Sequence, residues 1–300
     1  MPAVEEALEE LGIAWSGPVP LEDAVRGAGV PALPGLYRIR RVGLTHWDYI
    51  GQTGVGWMNL RRRMAMLRGI YAEQMPYRDP HTAGPGLWAL RHRGDELLEV
   101  SFCPVEAATP WRKGLEAVAI ALHRQDHGRS PTLSFGRMPA GYRMSSGNNA
   151  RLVAAGRRFR GGPTDGLDDS HAPGVPPIAP LGDDVLSANW CGHEWTDWSP
   201  LTTEAIQQLD TTSGLYRIRG RTDELVYVGE GAIRARLLAH ALKLQAASAQ
   251  GDALRANAPL AFSIVYGHDW LRHQRLEFET DLIGAHVLAT RHVPAAQFIG

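Results

Sequence analysis

Two tyrosines, Tyr37 and Tyr216, stand at the same place in a hexapeptide, Gly-Leu-Tyr-Arg-Ile-Arg, that occurs at 35–40 and again at 214–219. Each copy leads to a second tyrosine, in Tyr49-Ile-Gly51 and Tyr227-Val-Gly229, then to an arginine-bearing stretch, and then to a glutamate. The glutamates are Glu116, in Glu-Ala-Val-Ala-Ile120, and Glu279, in Glu-Thr-Asp-Leu-Ile283. Phenol, guanidinium and carboxylate together suit the chemistry of a phosphodiester. Its hydrolysis needs a nucleophilic water, charge compensation at the phosphoryl oxygens and a stabilised leaving oxygen. Arginine offers a rigid fork for phosphate oxygens. A single carboxylate suffices for a hard cation such as Mg2+, which keeps several of its waters. A phenol can hydrogen-bond or deprotonate the water, provided a neighbouring cation or metal offsets its ordinary pKa of ~10.

One such word would mean only a β-strand, because apolar-polar alternation is the ordinary signature of one. The register, however, extends well beyond the words. Trp15 precedes Pro20-Leu21 by the interval that separates Trp195 from Pro200-Leu201, and Pro131 follows Glu116 as Pro294 follows Glu279. Duplication explains this better than chance. Gly161 to Asp184 is rich in Gly, Pro, Asp and Ser and has almost no apolar periodicity, the composition of a linker. The expected division is a first domain over 1–160, a linker over 161–185 and a second domain over 186–300.

The elements that must position these side chains follow the same order twice. A hairpin fits 35–42 and 47–51 in the first repeat and 214–219 and 225–229 in the second, with turn composition between. An amphipathic helix follows, with Leu60, Met64 and Leu67 on one face of the first and Ile233, Leu237 and Leu238 on one face of the second. A third strand fits 97–105 and 260–266, and helices over 111–124 and 271–288 carry the glutamates. The order β-β-α-β-α, without alternating β-α-β units, predicts α+β domains with small antiparallel sheets.

At 300 residues and 44% hydrophobic the chain can bury two cores. Cys103 and Cys191 are the only cysteines, one in each half, which argues against a disulfide framework and points to a reducing cytoplasm. No apolar run reaches the length of a membrane span, and the stretch from Val4 to Leu11 is acidic and helical, unlike a signal peptide. The net charge of −1 conceals an asymmetry. Residues 1–160 carry 21 Lys+Arg against 15 Asp+Glu, a net +6, and residues 161–300 carry 10 against 17, a net −7. The basic half is the expected holder of a polyanion, through Arg61, Arg62, Arg63 and Arg68 and through Arg151, Arg157, Arg158 and Arg160.

Gly-Leu-Tyr, Tyr-Ile/Val-Gly, an arginine on the next helix and the downstream glutamate pattern resemble the GIY-YIG nuclease family, over roughly 35–134 and 214–297. The resemblance implies two three-stranded antiparallel sheets flanked by helices and a DNA endonuclease dependent on one divalent metal, Mg2+ or Mn2+. It implies catalytic roles for Tyr37, Tyr49, Arg63 and Glu116 and for Tyr216, Tyr227, Arg236, His240 and Glu279. The first tyrosine of each set acts on the water, the second positions water or phosphate, and Glu116 and Glu279 are the metal ligands. Glu277, two residues from Glu279, falls on the opposite side of the helix. Arg61, Arg62, Arg68, Arg157, Arg158 and Arg160 are the expected DNA contacts.

Two departures stand out. The family's histidine or tyrosine one turn after the helix arginine is His240 in the second repeat but Leu67 in the first, where Tyr71, a further turn along, is the available substitute. The family's tail asparagine is Ser134 in the first repeat and Gln297 in the second, with Asn148 and Asn149 nearby. These departures motivate an alternative: a nucleic-acid- or partner-binding protein with one or both sites degenerate. A third reading is a non-nuclease enzyme on the same scaffold. Cys191-Gly-His193 has too few spaced partners for zinc, Trp15 and Trp195 are expected to be core anchors, and Gly51-Gln-Thr-Gly-Val-Gly56 lacks the Lys-Ser/Thr of a phosphate loop.

Overall fold

The computed structural model describes residues 2–54, 57–94 and 96–299, so Val55 and Gly56 of the glycine-rich piece lie outside them. In chain order the elements are α1 (Pro2–Glu10), β1 (Val19–Pro20), α2 (Leu21–Val25), β2 (Gly35–Arg41), β3 (Tyr49–Gln52), α3 (Leu60–Ala65), α4 (Gly84–Gly94), β4 (Leu98–Pro104), α5 (Thr109–His127), β5 (Tyr142–Arg143), α6 (Ala150–Ala154) and β6 (Gly162–Pro163). There follow β7 (Ser199–Pro200), α7 (Thr203–Gln207), β8 (Ser213–Arg219), β9 (Leu225–Ala232), α8 (Ile233–Lys243), α9 (Ala249–Ala256), β10 (Ala261–Tyr266) and α10 (Arg272–Thr290). The fold is α+β with antiparallel sheets. No helix among the described residues is long and apolar enough to cross a membrane.

The two main sheets have the same strand order, β1-β4-β2-β3 and β7-β10-β8-β9. Each therefore has four strands where three were expected. The addition is a two-residue strand ending in Pro20 or Pro200, antiparallel to β4 or β10. It is too short to show periodicity, yet it sits at the Pro-Leu pair that the repeat register had already matched.

The glycines of the repeated words are set by close approach. Gly35 and Gly214 pass so near the third strand that a Cβ would lie 2.2 Å from the Cys103 carbonyl oxygen and 2.1 Å from that of Val265. Tyr37 pairs with Gly51 across β2 and β3, and Tyr216 pairs with Gly229 across β8 and β9. A Cβ on Gly51 would meet the Tyr37 hydroxyl at 2.8 Å, and one on Gly229 would meet that of Tyr216 at 2.4 Å. The two words thus belong together because the tyrosine of one lies over the glycine of the other.

By its internal contacts the chain divides into two compact units, Leu8–Ala107 with Ser130–Pro173, and Met1–Ala7 with Ala108–Arg129 and Gly174–Gly300. The first holds the Tyr37 sheet, whose core gathers Tyr37, Ile39, Leu60, Met64, Leu87 and Phe102. The second holds the Tyr216 sheet, covered on both faces. Tyr216 and Ile218 pack with Ile233, Leu237 and Leu254 on one side, and Leu215 and Val228 pack with Trp195, Phe278 and Leu282 on the other. This is the two-residue alternation of a strand buried on both faces, and each such side chain contributes about 1.5–3 kcal/mol by leaving water. Helix α5, from the first repeat's sequence, belongs to the second unit and packs along α10, where Gly284 admits Ala121 at close range.

The segment 161–185 supplies β6, which pairs with β5, and Val175, Leu181 and Val185, which pack against the second unit's core. The duplicated tryptophans have a structural role as well. Arg38 stacks on Trp15 at 4.4 Å and on Trp47 at 4.2 Å, and Arg217 stacks on Trp195 at 4.4 Å and on Trp198 at 4.6 Å. The arginine after each Gly-Leu-Tyr thus anchors its tryptophan on the sheet.

Candidate functional site

In the second unit, β8 brings Tyr216, β9 brings Tyr227, and α8 brings Arg236 and His240 on one face, since residues four apart on a helix are neighbours. The Tyr216 hydroxyl lies 3.1 Å from His240 Nε2 and accepts a hydrogen bond from Arg236 Nε at 3.3 Å. Tyr227 stacks on Tyr216 with centroids 5.9 Å apart and meets the His240 ring at a tilt, with centroids 4.4 Å apart. Burial holds the Tyr216 phenol well above its ordinary value; the Tyr227 phenol adds to the rise and Arg236 opposes it. Tyr227 is raised too, by burial and then by the Glu279 charge. Burial, Lys243 and Arg236 lower His240 to about 4, so the imidazole is neutral at pH 7. Its Nδ1 is buried and has no hydrogen-bond partner among the described residues.

Glu279, half-buried on α10, completes the group. Burial and then the neighbouring Glu230 carboxylate push it up to about 8, while Arg236, the Glu230 backbone N–H and Arg272 pull the other way. Glu230 is itself tied to Arg275 Nε at 2.9 Å. A carboxyl raised from 4.5 in the unfolded chain to about 8 in the folded protein contributes stability that is complete below 4.5 and is lost as pH rises through 8. Glu279→Gln is therefore expected to raise the melting temperature at pH 9 in EDTA and leave it unchanged at pH 4. The rise should be on the order of 2–4 °C, the shift that ~1 kcal/mol produces in a domain of 150–250 residues. Equal shifts at the two pH values in a melting series would refute the assignment.

In the first unit β2 brings Tyr37, β3 brings Tyr49 and α3 brings Arg63. Asn59 caps that helix by accepting the Arg62 N–H. The histidine missing from the helix is replaced from elsewhere in the chain. His81, on the loop after the 3-10 turn Arg68–Tyr71, places Nε2 2.7 Å from the Tyr37 hydroxyl. Arg63 Nε donates to the same hydroxyl at 3.3 Å, and Arg63 Nη1 donates to the Pro80 carbonyl. His81 Nδ1 accepts the Ala83 N–H at 3.2 Å, which leaves the proton on Nε2 to be donated to Tyr37. Burial and the Arg63 charge hold the His81 pKa well below 6.5.

Tyr71 does not substitute for the missing histidine. It lies beneath the Arg91 guanidinium at 4.2 Å, and burial pushes it up to about 12. Leu67 is core. Glu116 lies on α5 in the second unit. His81 carries no periodic signal in sequence. The longer stretch between helix and third strand in the first repeat, 66–97 against 244–260 in the second, was the visible sign of an added segment.

The tail positions have structural work. The Gln297 side-chain oxygen accepts the Val228 N–H at 3.1 Å and so pins β9. Ser134 is buried, and its Oγ has no hydrogen-bond partner among the described residues. Asn149 caps α6, and Asn148 accepts from Arg158 at 3.3 Å. Glu277 points away from Glu279 into the second unit's core, where it lies 3.5 Å from Arg124 and accepts the Val175 N–H. Cys191 and His193 are buried, the latter among the rings of Trp195, Trp270 and Phe278. No group of three or more His, Cys, Asp and Glu side chains among the described residues is placed to hold a metal ion.

Of the basic side chains in the first unit, Arg61 and Arg68 donate to the Val30 and Val25 carbonyls, and Arg62 donates to the Trp57 carbonyl. Arg158 and Arg160 flank Tyr77, at 5.3 and 4.4 Å, and Arg157 is exposed beside them. The last three belong to the segment that braces the His81 loop. There Asn148 N–H donates to Asp79 and Arg78 N–H donates to the Ser146 carbonyl. No protein-family model matches the chain, and no curated protein matches it.

Proposed function

We propose that the chain is a metal-dependent DNA endonuclease, with one phosphodiester-hydrolysing site in each repeat, of the kind that the resemblance to GIY-YIG nucleases implies. The observation that carries this reading is one cluster built twice. In both units a tyrosine hydroxyl over a glycine accepts an arginine Nε–H at 3.3 Å and meets a histidine Nε2, at 2.7 Å in one and 3.1 Å in the other. The histidines come from unrelated positions, a loop and a helix. A chain that restores the same three-group contact by a different route points to selection on the contact and not merely to inherited packing.

The donor set suits a hard cation. A single carboxylate, Glu279, faces the cluster, and burial and the Glu230 charge hold its proton up to about 8 against the pull of Arg236 and Arg272; one carboxylate is what Mg2+ or Mn2+ asks of a protein when the remaining positions are left to water. Such an ion, when bound, supplies charge compensation for the phosphoryl and leaving oxygens. The protein's own groups do the rest. Arg236 addresses a phosphate oxygen while it polarises Tyr216, Tyr227 and neutral His240 wall the phenol off from bulk water, and Tyr216 orients the attacking water. The exposed arginines of the first unit, Arg62 and Arg157 foremost, are proposed to hold the DNA backbone. The test is incubation of supercoiled plasmid and of branched DNA with Mg2+ or Mn2+. Nicked or linear products that vanish in EDTA support the reading; intact DNA with both metals on both substrates overturns it.

A further inference from the structure

The segment between the second tyrosine and the helix arginine differs between the repeats. Eight residues separate Gly51 from Leu60, whereas three separate Gly229 from Ile233, and the longer connection carries Trp57. That indole is 69% exposed, the most exposed aromatic side chain among the described residues. One face lies against the Arg62 guanidinium at 4.6 Å, and Arg62 Nη1 also donates to the Trp57 carbonyl at 2.9 Å, so ring and backbone are clamped by the same side chain. The guanidinium contact and the carbonyl bond together hold the ring in place while most of its surface stays in water.

Its surroundings indicate the partner. The connection joins β3, which bears Tyr49, to α3, where Arg62 precedes the Arg63 that donates to Tyr37. The half of the chain around it carries a net +6. An indole backed by a guanidinium, one residue from a phosphate-seeking arginine in a basic region, has the parts of a base-stacking platform. Every nucleobase offers a π-face, and the backbone charge beside it is met by arginine. A duplex keeps its bases stacked on one another, so only an unpaired base is available to such a ring. We propose that Trp57 stacks on an unpaired nucleobase adjoining the phosphate held near Arg63, which gives the first repeat a preference for single-stranded or branched DNA over intact duplex. This rests on the nuclease reading above only in taking DNA as the ligand.

The experiment measures binding of the full-length protein, in EDTA so that nothing is cut, to a fluorescent single-stranded oligonucleotide and to the matching duplex. Wild type is expected to bind the single strand more tightly. Trp57→Ala should weaken single-strand binding by about 5- to 150-fold, the range that corresponds to one stacked base, and leave duplex binding unchanged. Trp57→Phe should retain most of the affinity, and 2-aminopurine in the strand should be quenched by wild type and not by Trp57→Ala. A Trp57→Ala variant that binds the single strand as wild type does, or that loses both ligands equally, overturns the proposal while leaving the nuclease reading in place. Wild-type protein that binds neither DNA overturns both.

Discussion

Glu279→Gln is expected to slow metal-dependent cleavage at the second repeat's site by about 10²- to 10⁴-fold, since the carboxylate is asked to hold a cation worth several kcal/mol of transition-state stabilisation. The substitution keeps the shape of the side chain and an oxygen able to accept the Glu230 backbone N–H, so only charge is lost. DNA affinity measured in EDTA should stay near wild type. Glu277→Gln is the matched control. It lies two residues away on the same helix but faces the core, where it accepts the Val175 N–H, so it should lower stability and spare cleavage. If each repeat cuts one strand, loss at the second site should turn linear product into nicked circles. Plasmid cleavage that is as fast in Glu279→Gln as in wild type would sink the metal assignment, and so would cleavage lost equally in Glu277→Gln.

The parts of this arrangement that were legible in the sequence are those with short-range causes. The paired words appear together because Tyr37 lies over Gly51 and Tyr216 over Gly229, so steric necessity fixed both the residue types and their order. Helix α8 wrote Arg236 and His240 four residues apart because one face had to carry both. The fourth strands escaped because two residues cannot display a period. His81 escaped for a different reason. Its place at the Tyr37 hydroxyl depends on a loop held by Asp79 and Arg78 against the backbone of Ser146 and Asn148, nearly seventy residues on, and nothing local encodes that closure. Helix spacing pointed instead at Tyr71, whose ring is occupied by Arg91. The membership of α5 was equally invisible. Its repeat register ties it to the first sheet's words, whereas its packing along α10 depends on the small residues Gly284, Ala117 and Ala121.

Arg124→Met is expected to destabilise the second unit by about 3–5 kcal/mol, the usual consequence of removing one member of a buried ionic group. Arg124 is fully buried on α5, donates to both oxygens of Asp281 at 2.7 and 2.9 Å, and donates to the Val175 carbonyl at 3.1 Å. Glu277 approaches the same guanidinium at 3.5 Å. One cation thus serves two carboxylates, and the imbalance shows in Asp281, which burial pushes up to about 6 against the pull of Arg124. A raised carboxyl contributes stability that is complete below its unfolded value of 3.8 and is lost as pH climbs through 6. Without the arginine that rise grows, so the deficit of Arg124→Met should be larger at pH 8 than at pH 4.5, where Asp281 can keep a proton. Denaturant unfolding at the two pH values measures it, and a deficit that is the same at both, or below about 1 kcal/mol, would refute the account. Replacing Arg124, Glu277 and Asp281 together by Met, Leu and Leu should recover most of the loss, because a packed apolar cluster no longer strands a charge. The effect reaches the site through helix geometry. Asp281 stands two positions beyond Glu279, and two residues turn an α-helix by roughly 200°, so the bond of Asp281 to Arg124 in the core helps turn Glu279 toward the tyrosines. Arg124→Met should therefore blunt cleavage more than its folded fraction explains, with binding to DNA preserved.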